Sequence, residues 1–118
     1  MRELTSHKVN GLNEALRIEV LDEPGKGNAC HTYRIANDGD VECRIEFQNG
    51  PIVEVGVNGI SQESLLAIVE DRLVGFQSGQ YACRENAVAL TKIQEAMMWL
   101  QKRTLDRMRR GVEGTHQK

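Results

Sequence analysis

SQESLLAIVEDRLVGFQSGQYACRENAVALTKIQEAMMWLQKRTLDRMRRG, residues 61–111, is the stretch whose reading decides the fold. Ser61 is a natural N-cap, and Glu63 sits in the first turn, where a helix dipole favours an anion. Behind it Leu65, Leu66, Val69, Leu73 and Phe76 recur at steps of three and four, which is one face of a helix. Gly75 and Gly79 bracket its end, and SGQYACRE reads as a connection. A second helix is expected from about Arg84 to Arg110, ~40 Å long at 1.5 Å per residue. Its apolar stripe is Leu90, Ile93, Met97, Leu100 and Met108, with Thr104 in line. Gly111 is a natural C′ residue. Two antiparallel helices with facing stripes make an αα-hairpin.

Upstream the period changes from 3.6 to 2. ALRIEVLD puts Leu16, Ile18 and Val20 on one face, with Arg17 and Glu19 on the other. HTYRI and VECRIEF flank Asn37-Asp38-Gly39-Asp40, where Asp-Gly suits a tight hairpin with positive φ. Asn49-Gly50-Pro51 then turns the chain into IVEVGV, and Asn58-Gly59 closes that segment. These signals predict an antiparallel meander, polar on one side. The expected fold class is α+β, a single domain over 1–118. Its β portion covers about 12–60, the helical hairpin about 61–111, and residues 112–118 form a tail. The second helix outruns its partner, so a symmetric oligomer is expected to cover the surplus apolar surface.

Composition bounds the function. The chain has 118 residues, 40% hydrophobic and 27% charged, with a net charge of −2, which is an ordinary globular balance. Cys30, Cys43 and Cys83 lack C-x-x-C spacing and read as free thiols, with no metal site. No apolar run approaches the ~20 residues of a membrane span, and MRELTSHKVNGLNEAL lacks the apolar stretch of a signal peptide. PGKGN at 24–28 lacks the pattern of a phosphate-binding P-loop, and His7, His31 and His116 are scattered. No catalytic residues and no cofactor are assigned, so the chain is read as a binding protein and not an enzyme.

Cations are concentrated at one place. Between 102 and 110, Lys102, Arg103, Arg107, Arg109 and Arg110 face one acid, Asp106. Arg103, Arg107 and Arg110 fall within ~60° on a helical wheel, at the margin of the apolar stripe. A solvated helix end, with Asp106 bridging to Arg103 or Arg110, is the plain structural reading. Arginine in place of lysine at four of five positions favours bidentate phosphate recognition. An acidic protein without a broad basic track is not built for extended nucleic acid, so a small phosphorylated ligand fits better. The alternative is an oligomeric structural or regulatory protein whose basic face contacts nucleic acid.

The runs VLDEPGKGNACHTYRI, QNGPIVEVGVNGI, LLAIVEDRLVGFQSGQYACRENAVAL and RTLDRMRRGVEGT resemble, in order, the first class of phage Thoeris anti-defence proteins. The hairpin is similar to that of the anti-CBASS cyclic-nucleotide sponges. The resemblance implies a phage protein acting in the cytoplasm of the infected bacterium, or of a prophage carrier. It would assemble as a hexamer and sequester a TIR-generated cyclic ADP-ribose isomer, glycocyclic ADP-ribose, without cleaving it. It would also hold cyclic di- or trinucleotides in separate pockets. The ligand-contacting positions implied are Phe76, Asn86, Arg103 and Arg107. The arginines would hold two phosphates, Phe76 would stack on adenine, and Asn86 would bond a base edge or ribose hydroxyl. Read without the resemblance, Phe76 is core and Asn86 a helix cap. Arg103 lies ~26 Å along the helix from Asn86, so a pocket shared by all four needs two chains. Residues 112–118 read either as a frayed tail or, with Arg110, Gly114 and Thr115, as part of the oligonucleotide pocket.

Overall fold

A computed structural model describes residues 1–118. The elements run β1 (Arg2–Leu4), α1 (Gly11–Ala15), β2 (Arg17–Val20), β3 (Thr32–Ala36), β4 (Glu42–Glu46), α2 (Ile52–Val55), α3 (Gln62–Gln77) and α4 (Arg84–Arg109). The architecture is α+β, with an antiparallel sheet and a C-terminal helical hairpin, as the two periodicities require. Two compact units are formed: Met1–Asn49 with Val57–Ile60, and Gly50–Gly56 with Ser61–Lys118.

The first unit is a four-stranded meander in the order β1-β2-β3-β4. Its register aligns Leu4, Ile18, Ile35 and Cys43 across the strands, with Val20, Tyr33 and Ile45 in the next row of the same face. Val20, Cys30 and Ala36 are its buried apolar residues, and Tyr33 meets Phe47 edge-on at 5.7 Å. On the polar face Arg34 donates to Glu19 at 2.8 Å and to Glu42 at 2.9 Å. Asp22 ties the β2–β3 connection by accepting the backbone N–H groups of His31 (2.9 Å) and Thr32 (3.1 Å).

Two local expectations are corrected here. Neither Asp38 nor Gly39 has a positive φ. The hairpin instead turns on Asn37, whose side-chain oxygen accepts from the N–H groups of Gly39 and Val41. The expected strand IVEVGV is also not a strand, and β1 supplies the fourth position in the sheet. Gly50 (φ +94°) and Gly56 (φ +72°) bend the chain away on either side of Pro51, leaving a single helical turn, α2. The neck of this excursion is closed by reciprocal hydrogen bonds between Asn49 and Asn58, at 2.7 and 2.8 Å.

In the second unit α3 and α4 form the hairpin. Ser61 caps α3 by accepting from the Ser64 N–H at 3.1 Å. The cap of α4 is Cys83 and not Asn86: the Cys83 sulfur accepts from the Asn86 N–H at 3.4 Å. Helix α4 ends with Gly111 at φ +71°, its N–H on the Met108 carbonyl and the Val112 N–H on the Arg107 carbonyl, the two bonds of a Schellman cap. No apolar side chain of this unit is fully buried. Val69 and Phe76, expected on the covered face, remain exposed, as do Ile68, Met98, Leu105 and Met108.

Candidate functional site

Helix α4 has 26 residues against 16 in α3, so its C-terminal turns extend beyond what the shorter helix can cover. From Leu90 onward its shielded stripe is Leu90, Ile93, Met97, Leu100, Thr104 and then Arg107, at alternating steps of three and four. Met108, expected in this stripe, faces outward, and Arg107 takes the buried position instead.

A buried guanidinium requires partners, and the tail supplies them. Arg107 Nε donates to Glu113 at 3.2 Å. Its two terminal nitrogens donate to the carbonyls of Val112 (2.9 Å), Thr115 (3.2 Å), Gln117 and Lys118 (3.1 Å). Five N–H groups thus meet five acceptors, the full capacity of an arginine. Gly114 accepts from the Val53 N–H at 3.2 Å, and His116 lies 3.5 Å from Glu54, so the tail is seated on α2 as well. Residues 112–118 are therefore a folded return, neither frayed nor open. Gly114 and Thr115, suggested for a second pocket, serve in this return. Arg110 adds a hydrogen bond to the Lys118 carbonyl at 2.7 Å.

The remaining cations sort differently from the expectation. Asp106 is taken by Lys102 (3.1 Å) and Arg109 (3.2 Å), not by Arg103 or Arg110. Arg103 has neither a hydrogen bond nor an ion pair within the chain. It lines a shallow groove of about 270 Å³ together with Trp99, Lys102, Asp106, Arg107, Arg110 and Lys118. The groove thus unites three of the proposed arginines, one free, one partly engaged and one saturated. Guanidinium donors collected in a concavity suit an oxyanion, phosphate above all.

Phe76 and Asn86 do not line this groove. Phe76 stands at the end of α3, 39% exposed, with the Arg72 guanidinium over its ring at 5.6 Å. Asn86 lies in the first turn of α4, and its side-chain amide makes no hydrogen bond. Along α4 the rise from Asn86 to Arg103 is ~26 Å, so one chain holds the two halves of the predicted constellation apart. Sequence reasoning missed Glu113, whose one available signal is an acid just past an arginine-rich helix end. It also left Trp99, which shares the arginine side of the helix, without a role in the groove.

No cluster of three His, Cys, Asp or Glu side chains is placed to hold a metal ion. No helix is long and apolar enough to cross a membrane.

Comparison with known proteins adds to this geometry. The profile of the family "Acb2/Tad1, hairpin domain" matches residues 39–105, which covers β4, α3 and α4 as far as Leu105, takes in Phe76, Asn86 and Arg103, and stops short of Arg107. A curated relative, Thoeris anti-defense 1 of Bacillus phage SBSphiJ7, is 55% identical over 94 residues. That alignment covers 80% of this chain and 66% of the relative, so the chain spans just under two thirds of its length.

Proposed function

The chain belongs to the Acb2/Tad1 hairpin family, and from that membership we propose that it is a phage anti-Thoeris protein that sequesters a cyclic nucleotide signal. In this reading it binds a TIR-generated cyclic ADP-ribose isomer, glycocyclic ADP-ribose, in the cytoplasm of the infected cell. It holds the molecule without degrading it. The relative's name supports the pathway. Support for the ligand class comes from the groove, and the observation that carries it is the unpaired Arg103 guanidinium among further cations.

A groove of about 270 Å³ is smaller than the ~300–1,000 Å³ of typical small-molecule sites. The proposed pocket is accordingly completed by a second copy, whose hairpin tip brings Phe76 and Asn86 to the first copy's Arg103. Phe76 stacks on the adenine, Asn86 bonds a base edge or ribose hydroxyl, and Arg103 pairs with the phosphates. Arg107 contributes positive potential and a fixed wall, and a direct phosphate contact from it requires the tail to yield. A hexamer with such pockets between protomers, and further pockets for cyclic oligonucleotides near Arg110, belong to the same proposal.

Titration with purified signal molecule at low and high salt tests this reading against a nucleic-acid-binding one. A small ligand held by a few arginines loses little affinity with salt, whereas an extended phosphate backbone loses it steeply. Heating the loaded protein should then release the signal intact. Recovery of linear ADP-ribose from clean ligand would reveal hydrolysis and overturn the sequestration mechanism.

A further inference from the structure

Trp99 is the single tryptophan of the chain, and it is 59% exposed. An indole in water is unusual, because its apolar area is large and its faces favour a stacking partner. Two separate grooves on α4 are lined by exposed apolar residues. Met98 and Leu105 line one groove with Gln101, Lys102, Asp106 and Arg109. Trp99 is absent from that groove and lines the cationic one instead. On the helix, Trp99, Arg103 and Arg110 fall within ~40° of one another, so indole and guanidinium groups stand in one row. No ring or cation within the chain occupies the indole faces: the ring contacts formed are Tyr33 with Phe47 and Arg72 with Phe76.

An unoccupied aromatic plane beside an unpaired guanidinium matches a ligand that carries a flat ring tethered to phosphate. We propose that Trp99 stacks on the nucleobase of a nucleotide whose phosphates bind Arg103, making the groove selective for base-bearing phosphates over bare polyphosphates. This rests on the reading that the groove takes a nucleotide. In the shared pocket Phe76 of the second copy covers one side of the base, and Trp99 supplies the aromatic surface on the arginine side.

The single tryptophan makes the test direct. Intrinsic fluorescence and calorimetry are followed while the full chain is titrated with cyclic ADP-ribose, ADP and inorganic pyrophosphate. The base-bearing probes should quench the emission at the calorimetric midpoint, and pyrophosphate should bind without quenching. Trp99→Leu should weaken binding of ADP and cyclic ADP-ribose by about 10- to 100-fold, leave pyrophosphate unchanged, and be largely rescued by Trp99→Phe. If Trp99→Leu binds all probes like the parent while Arg103→Ala abolishes binding, stacking is wrong and the phosphate reading survives. If no probe binds the parent, the groove reading itself fails and the stacking proposal falls with it. Light scattering on Trp99→Leu supplies the control: a smaller assembly than the parent would assign the indole to a subunit contact and overturn the proposal.

Discussion

Arg103 and Arg107 are four residues apart on one helix, yet their environments are opposite. Arg107 is 5% exposed and saturated by the tail, whereas Arg103 is exposed and unpaired. Arg103→Ala should therefore remove most ligand affinity, by ~2–5 kcal/mol if the pair with phosphate is desolvated in the complex, with little change in melting temperature. Arg107→Ala should destabilise the helical unit by ~2–4 kcal/mol, because several charge-assisted hydrogen bonds vanish and carbonyls lose their donor. Calorimetry and thermal melting on both variants measure the contrast, and equal melting temperatures would contradict the structural role of Arg107. The helical wheel places both arginines at a stripe margin because it cannot include a tail that folds back. A helical periodicity describes one helix, and Arg107 is buried by residues beyond that helix.

At the scale of elements, the long periodic segments are legible in the sequence and the short irregular ones are not. Ser61, the 3–4 spacing and Gly111 mark the hairpin because caps and stripes act locally. The β-branched residues Ile52, Val53, Val55 and Val57 mislead at IVEVGV. Gly50 and Gly56 at positive φ and the Asn49–Asn58 closure outweigh β-propensity over so few residues. The three-residue β1 carries too short a pattern to read, and it exists through its pairing with β2. Electrostatics gives the sheet unit a pH signature. Burial pushes the Asp22 carboxyl upward, but the N–H groups of His31 and Thr32 and the nearby His31 charge prevail and hold it below the usual range. Glu42 is likewise lowered, by its hydrogen bond from Arg34 and then by the Arg34 charge. A depressed folded pKa means that both contributions are complete above the unfolded values, near ~4, and fade as pH falls through the lower folded ones. Asp22→Asn should thus melt below the parent at neutral pH, with the gap narrowing below about pH 4. A gap that stays constant from about pH 7 to pH 3 in circular-dichroism melts would contradict that linkage.

For the whole molecule, the single chain leaves its helical unit without a fully buried apolar side chain, while Ile68, Val69, Met98, Leu105 and Met108 face outward. Such a surface is the expected signature of subunits that complete their core by association. Light scattering at micromolar concentration should return a closed assembly several times the 13.3 kDa chain mass, and a hexamer in the proposed form. A stable monomer would remove the basis for a pocket shared between copies. The fold class and the cationic cluster are readable from one chain's sequence, but the proposed completion of the groove by a second copy is not encoded in any local pattern. The most direct test of the central claim is a native mass spectrum of the purified protein after incubation with extract from TIR-activated cells. The expected result is one oligomeric species carrying the mass of an intact cyclic ADP-ribose isomer, retained by the parent and absent from Arg103→Ala at the same subunit count. Ligand-free oligomers in both samples, or equal ligand retention by the Arg103 variant, would contradict it.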